Sequence, residues 1–379
     1  MGKFGKKNVI SLNPLDLNIC LCGIGGIGKT TLAKEVCEKL VGEDGYIHFN
    51  IGREGGVDAI SNIISEPIEN WAKLVEVVED IVDNKDEDYK SLKVVIWDSL
   101  DELIRIGEIE TIRQYNKKNP DKKADTILQS WGGFGKGQDY CINMILDKMW
   151  ELRNVGVHSF IISHTKRSDI IDPVTQETYS QLTADAQQRY FNAVRNKMDI
   201  IAVGYVDREI VKENTGRKNA VTKKDITVNK VMSESRVITF RDDSFSIDSK
   251  SRFADIVDRI EFDSGAFIKA IQDAIKAEQK KTGVSYAEAE KKQKATDKEK
   301  AKAASEYSKS AKNNKIDAEK NEEIVELIKT KFSELDDDGA SEIKALMKEL
   351  GIKNFKESDE IPTKHLEAIL GKINEITEA

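Results

Sequence analysis

Gly23-Ile24-Gly25-Gly26-Ile27-Gly28-Lys29-Thr30 is the stretch from which the rest of the chain can be read. It fits G-x-x-x-x-G-K-[ST], a phosphate-binding P-loop. The apolar run Leu17 to Cys22 leads in as a buried strand, and Thr31 to Leu40 (TLAKEVCEKL) leads out with helical apolar spacing. Strand, glycine-rich loop and helix are what the chemistry needs. The glycines let backbone N–H groups close around a β-phosphate, and the helix N-terminus adds partial positive charge. Residues Gly23 to Thr31 then line a nucleotide, with Lys29 bridging its β- and γ-phosphates and the Thr30 hydroxyl ligating Mg²⁺. ATP and Mg²⁺ are the implied ligands. A glycine-rich turn with an incidental lysine is the alternative, and the flanking strand and helix weigh against it.

The chain has 379 residues, room for one large domain and an appendage. With 39% hydrophobic and 33% charged residues it is charge-rich. No apolar run approaches the ~20 residues of a membrane helix, so a membrane role is not expected. The start, MGKFGKKNVI, is basic without an apolar signal core, and Lys6 stands where a myristoylated start needs Ser or Thr. A cytoplasmic location is expected. Cys20, Cys22, Cys37 and Cys141 fit no zinc spacing and read as buried reduced thiols. A net charge of −8 argues against a wholesale nucleic-acid coat. Basic clusters do occur in expected loops, at Lys117, Lys118, Lys122 and Lys123, and at Arg217, Lys218, Lys223 and Lys224. Ordinary solvated surface is the competing reading of each.

Short apolar runs continue along the chain at Tyr46–Ile51, Val94–Asp98, Val157–Ser163 and Ile200–Val206, separated by helical patterns near 68–82 and 138–153. That alternation predicts an α/β fold, a mostly parallel sheet flanked by helices. Arg236–Arg241 and the polar stretch before it read as antiparallel edge strands, and Phe262–Ile275 as a closing helix. The expected organisation is a core at 1–276, a Lys/Glu/Ala-rich linker at 277–321 and a small helical C-terminal domain at 322–379. Apolar periodicity in the last segment runs through Ile324, Val325, Leu327, Ile328, Ile343, Leu346, Met347, Leu350, Leu366, Ile369, Leu370 and Ile373.

A P-loop protein needs an aspartate ending a buried strand to hold Mg²⁺ through water, opposite Thr30. Asp98, in Val94-Val95-Ile96-Trp97-Asp98-Ser99, fits. The residue that follows is Ser99, where many P-loop ATPases carry the glutamate that activates water. Asp101 and Glu102 come next, as first-turn helix residues that complement the helix dipole. The other candidate is Glu54, in the glycine-bearing loop Asn50-Ile51-Gly52-Arg53-Glu54-Gly55-Gly56. Sequence leaves the choice between Glu54 and Asp101 or Glu102 open.

In their order, these features resemble the RecA-like ATPases, especially the phage nucleotide-binding proteins related to phage single-strand annealing recombinases. The resemblance covers roughly residues 15–275. It rests on the P-loop, the post-strand Glu54, the strand ending Asp98-Ser99, the region Trp131–Tyr140 (WGGFGKGQDY) and the strand ending Ser163-His164-Thr165-Lys166. It implies a RecA-like fold in which Glu54 activates water and His164 senses the γ-phosphate. It also places two DNA-contacting loops at Asn119–Gly137 and Thr165–Tyr190. Trp131, Phe134 and Lys136 in the first loop suit base stacking and phosphate contact. A lid over the nucleotide, or a core Trp beside a turn, are the other readings of that loop. Lys250 and Arg252 stand where such a protein supplies a cation to the next subunit's ATP, against a reading as surface charges.

The resemblance implies a Mg²⁺-dependent ATPase acting on single-stranded DNA in phage recombination or annealing, within the host cytoplasm. It implies a homo-oligomer, ring or filament, and a single-strand-binding protein as a partner for the tail. A helicase or helicase loader shares the ATP site and remains an alternative, as does a nucleotide-dependent protein switch without a DNA role. A nucleotide kinase fits less well with the edge strands and the long C-terminal extension. The immune-receptor switches share GIGGIGKTTLA, but their further motifs are missing.

Overall fold

The computed structural model describes residues 11–171, 174–218, 225–241, 249–283, 286–313, 318–333, 335–355 and 361–378. The readings placed on Met1–Ile10 and on Lys223 and Lys224 lie outside the described residues. The core strands are β1 (Ile19–Gly23), β2 (Tyr46–Ile51), β3 (Ser65–Ile68), β4 (Val94–Asp98), β5 (His158–Ile171), β6 (Thr178–Ala184), β7 (Ile200–Lys218), β8 (Asp225–Thr239), β9 (Lys250–Ser251) and β10 (Arg259–Glu261). The helices around them are α1 (Lys29–Val41), α2 (Trp71–Asp83), α3 (Leu100–Lys118), α4 (Lys136–Asn154), α5 (Gln188–Arg195) and α6 (Ser264–Lys281).

Among the described residues the strands make one ten-stranded sheet, in the order β10-β8-β7-β1-β5-β4-β2-β3, with β6 added to β5 and β9 to β7. From β7 across to β3, neighbours run parallel. β10, β8, β6 and β9 pair antiparallel. This is the α/β class the strand–helix alternation implied, antiparallel edge strands included.

A parallel sheet covered on both faces needs apolar residues at every strand position, and the central strands are continuous apolar runs for that reason. Successive side chains divide between two cores. Ile19, Leu21, Val94, Ile96, Phe160 and Ile162 face α1 and α6, while Cys20, Cys22, Val95, Trp97 and Ile161 face the helices α2 to α5. Trp97 is fully buried, meets Phe49 edge-on at 5.3 Å and donates its indole N–H to Ser159 Oγ at 3.1 Å. Side chains start the helices where they should. Asn70 caps α2 by accepting from the Lys73 N–H, and Asp263 caps α6 by accepting from the Ala266 N–H. All four cysteines are buried and unbridged.

β5 and β7, the two strands beside β1, run on past the sheet as two-stranded ribbons. β5 leaves β1 at His164 and pairs with β6 from Thr165 to Ile171. β7 leaves β1 at Gly204 and stays paired with β8, with a bulge between Glu209 and Ile210. Both strands therefore exceed the apolar runs from which they were read. Beyond Val206 the pattern carries too few apolar residues to face a core, and the ribbon is held laterally instead, by Arg208–Glu234, Lys230–Glu213 and Ser233–Glu209.

The Lys/Glu/Ala-rich stretch expected as a linker contains the helix α7 (Tyr286–Asn313). One side of it lies on the core. Ser308 Oγ donates to the Val82 carbonyl at 2.6 Å, Ser305 Oγ to Asp86 at 2.5 Å, and Tyr307 and Ala311 pack beneath. Small side chains such as Ala304 permit the close approach. The last three helices, α8 (Ala318–Phe332), α9 (Asp337–Glu349) and α10 (Thr363–Glu378), enclose a separate core. It contains Ile324, Val325, Ile328, Ile343, Leu366, Ile369 and Ile373. Leu327, grouped with these by periodicity, is 49% exposed. No helix among the described residues is long and apolar enough to cross a membrane.

Candidate active site

The P-loop joins the end of β1 to the start of α1. Gly26 (φ 76°) and Gly28 (φ 105°) take backbone conformations that L side chains rarely adopt, so the loop can turn its N–H groups inward only with glycine there. A Cβ at Gly25 or Gly26 would meet open space, as a cradle for a ligand requires. Lys29 is the first residue of α1 and is buried at 6% exposure. Its Nζ donates to the carbonyls of Gly23 and Ile24, each at 3.1 Å. Burial lowers its pKa, against the opposing pull of Asp98, Glu54 and Asp101. The phosphate loop thus holds a buried lysine whose contacts are backbone carbonyls, in the field of three carboxylates.

Asp98 ends β4 and is buried. Its Oδ2 accepts from the Thr30 hydroxyl at 2.6 Å. His48, fully buried on β2, brings Nε2 to 3.2 Å from the same oxygen, and its Nδ1 lies 3.0 Å from Ser65 Oγ. Asn50 stands opposite Asp98 in the β2–β4 register, and its buried Oδ1 accepts no hydrogen bond from the described chain. A hydroxyl, a carboxylate and an unpartnered amide oxygen are hard donors, the set that suits Mg²⁺ and its waters. The residues present therefore fit that ion, with Thr30 and Asp98 as those that would hold it.

Glu54 lies just past β2, where its Oε2 accepts from the Ser99 hydroxyl at 3.1 Å. Glu102 is tied to the backbone of the loop after β2, accepting from the Arg53 N–H at 2.9 Å and pairing with Arg105. Asp101 takes another task. Its Oδ2 accepts from the His164 N–H at 3.0 Å and lies 3.1 Å from His164 Nδ1. That contact raises the His164 pKa, against the effect of burial and of Lys29. A hollow of about 340 Å³ opens beside Ile24 between the two ribbons, lined by Arg167, Tyr205 and Arg208 among others.

The other sequence candidates lie elsewhere. Trp131 is stacked on Tyr140 with ring centroids 4.1 Å apart, meets Tyr115 edge-on, and donates to the Thr111 carbonyl. Lys118 sits over its ring. Phe134, at φ 51°, is 99% exposed, and Lys136, the first residue of α4, is exposed too. The segment Thr165–Tyr190 forms the β5–β6 ribbon and the start of α5, apart from Asp172 and Pro173, which lie outside the described residues. Lys250 and Arg252 stand at the other end of the sheet from this chain's own P-loop, Lys250 opposite Ile201 at the start of β7 and Arg252 beside Asp199, to whose carbonyl its N–H donates at 3.1 Å. Lys250 donates to the Arg195 carbonyl at 2.8 Å, and Arg252 pairs with Asp199 at 2.9 Å.

Sequence reasoning passed over His48 and the Asp101–His164 contact. The one available signal for His48 is composition, since Tyr46–Ile51 (YIHFNI) carries polar His48 and Asn50 at alternate positions of an otherwise apolar strand. A family model described as an AAA domain matches residues 15–253. Set against proteins of curated function, the chain matches none. Among solved structures it is similar to a KaiC-like protein from the hyperthermophilic archaeon Pyrococcus horikoshii. That similarity has 11% identity and a TM-score of 0.31, over 59% of this chain and 78% of that one.

Proposed function

The chain belongs to the AAA-domain family, a family of P-loop ATPases, and from that premise we propose that it is a Mg²⁺-dependent ATP hydrolase of RecA-like type that acts on single-stranded DNA. The observation that carries hydrolysis is the placement of Lys29, Thr30 and Asp98 at a glycine-lined phosphate loop, with Glu54 held by Ser99, the residue after Asp98.

Lys29 exchanges the Gly23 and Ile24 carbonyls for phosphate oxygens, which hold it more strongly because they are charged. Thr30 and Asp98 hold the metal side of the site. The chemistry that Mg²⁺ supplies when bound is neutralisation of charge on the β- and γ-phosphate oxygens. Glu54 orients the attacking water and takes up its proton, with the Ser99 hydroxyl fixing the carboxylate. Glu54 is preferred to Asp101 and Glu102 because those two are committed, one to His164 and the other to Arg53 and Arg105. His164, its proton held by Asp101, meets charge developing on the γ-phosphate.

Support for single-stranded DNA as effector comes from the glycine-rich loop before α4, where Phe134 and Lys136 offer an aromatic face and a cation to solvent. In this reading Trp131 anchors the loop instead of stacking on a base. Annealing in phage recombination is the setting we propose, on the motif order alone. Lys250 or Arg252 of one subunit completes the site of the next in a homo-oligomer, and the C-terminal helices tether a single-strand-binding protein. A nucleotide-dependent switch for a protein partner is the second reading, favoured by the packing of Trp131. ATP turnover with and without single-stranded DNA, at low and moderate salt, separates the two. Turnover stimulated by DNA, and less so as salt rises, supports the first. Turnover indifferent to DNA, with no DNA bound, overturns it in favour of the switch.

A further inference from the structure

His48 is a costly residue to place where it is. Its side chain is wholly enclosed, and a buried imidazole without partners would be destabilising. Both ring nitrogens are accordingly engaged, Nδ1 with Ser65 Oγ at 3.0 Å and Nε2 with Asp98 Oδ2 at 3.2 Å. The same Asp98 oxygen accepts from Thr30 at 2.6 Å. One polar chain, Ser65–His48–Asp98–Thr30, therefore crosses β3, β2, β4 and α1 through apolar surroundings.

The register explains how the ring reaches Asp98. His48 lies opposite Ser65 on β3 and opposite Ile96 on β4, with Asn50 opposite Asp98. The contact to Ser65 is thus directly across, and the contact to Asp98 is diagonal, within reach of a long side chain. An ionised carboxylate only accepts, so Nε2 carries hydrogen toward Asp98, and in the neutral ring Nδ1 accepts from the Ser65 hydroxyl. The carboxylate is gripped from two directions, by α1 through Thr30 and by the neighbouring strand through His48.

We propose that His48 is a positioning residue for Mg²⁺ binding: with Ser65 behind it, it fixes the rotation of the Asp98 carboxylate so that Asp98 and Thr30 present their oxygens together. The inference rests on the ATPase reading above and deepens it. Groups that orient a metal-binding side chain typically matter by 10–100-fold in metal affinity when removed. His48 lies on β2, outside the phosphate loop, and is wholly buried, so nucleotide affinity without metal should be indifferent to it.

Calorimetric titration of ADP into the full-length protein, once in EDTA and once in Mg²⁺, separates these effects. For wild type the proposal expects ADP to bind more tightly in Mg²⁺. His48→Phe, with thermal unfolding checked first, should keep wild-type affinity in EDTA and lose roughly 10-fold or more of the Mg²⁺-dependent gain. His48→Gln, which restores a donor and an acceptor, should recover part of it. Ser65→Ala should lose a few-fold of the gain, and it serves as the test if His48→Phe does not fold. A folded His48→Phe protein, or failing that Ser65→Ala, with the full wild-type gain overturns the role of His48. No Mg²⁺-dependent gain in wild type overturns the metal-dependent reading beneath it, which is a distinguishable result.

Discussion

Two histidines on one strand show how differently the two ends of the sheet are built. His158 opens β5, and His164 stands six positions on, where β5 reaches the phosphate loop. His158 has only 15% of its side chain exposed, and its nearest carboxylate oxygen, on Asp16, is 4.0 Å away. Burial wins there and pushes its pKa down to about 4. At His164 the carboxylate of Asp101 lies at 3.1 Å, and that contact outweighs burial and raises the pKa. One end of the sheet thus disfavours a charged imidazole, and the other favours one through the carboxylate of Asp101. Charges that a ligand can use are gathered at the end where parallel strands deliver their C-termini, as in open α/β sheets generally.

The largest way to break that contrast is Lys29→Ala. It removes the one ammonium held inside the phosphate loop by the Gly23 and Ile24 carbonyls, and ATP turnover should fall by roughly 10²–10³-fold or more, with nucleotide binding weakened. Glu54→Gln should leave ATP binding near wild type and lower kcat by roughly 10²–10⁴-fold. Next in size is pH. The folded-state pKa of His158 lies below its ordinary 6.5, so its contribution is fully present above pH 6.5 and is lost as pH falls toward 4. Urea unfolding from pH 7 to pH 4 should lose on the order of 2–3 kcal/mol through this group, a loss that His158→Phe should not show. His164 has the opposite sign. Its contribution is present below pH 6.5 and is lost as pH rises through its raised value, so wild type and His164→Gln should converge in stability toward alkaline pH. The smallest effect belongs to the far end. Arg252→Ala breaks an ion pair whose arginine is 56% exposed, and its cost to monomer stability should stay within about 1 kcal/mol. A turnover defect in Arg252→Ala that grows on dilution would instead mark a contribution across subunits.

The strands that carry the site were legible because their apolar runs must fill both faces of a covered sheet, and β2 and β4 begin and end at the residues the sequence marks. The P-loop was legible because glycine is required where φ is positive. The ribbons were read short for the same reason in reverse, since ion pairs across β7 and β8 leave no apolar periodicity beyond Val206. Trp131 was legible as an aromatic in a glycine-rich loop, but its stacking on Tyr140 and its reach to Thr111 depend on how α3 and α4 pack. Asp101 looked like helix-dipole complementation, and its partner His164 is 63 residues away. His48 was hidden because a polar residue inside an apolar strand announces neither its partners nor the face it occupies.

The central claim is that Lys29, Thr30, Asp98 and Glu54 make the phosphate end of the sheet a hydrolytic site, with Glu54 acting on water. Its most direct test is single-turnover cleavage of radiolabelled ATP in Mg²⁺ by wild type and by Glu54→Gln, with bound and cleaved nucleotide counted separately. The account predicts that both proteins bind ATP to similar levels and that only wild type releases labelled phosphate at an appreciable rate. Equal cleavage by the two proteins would contradict it and return the role to another group at this end of the sheet.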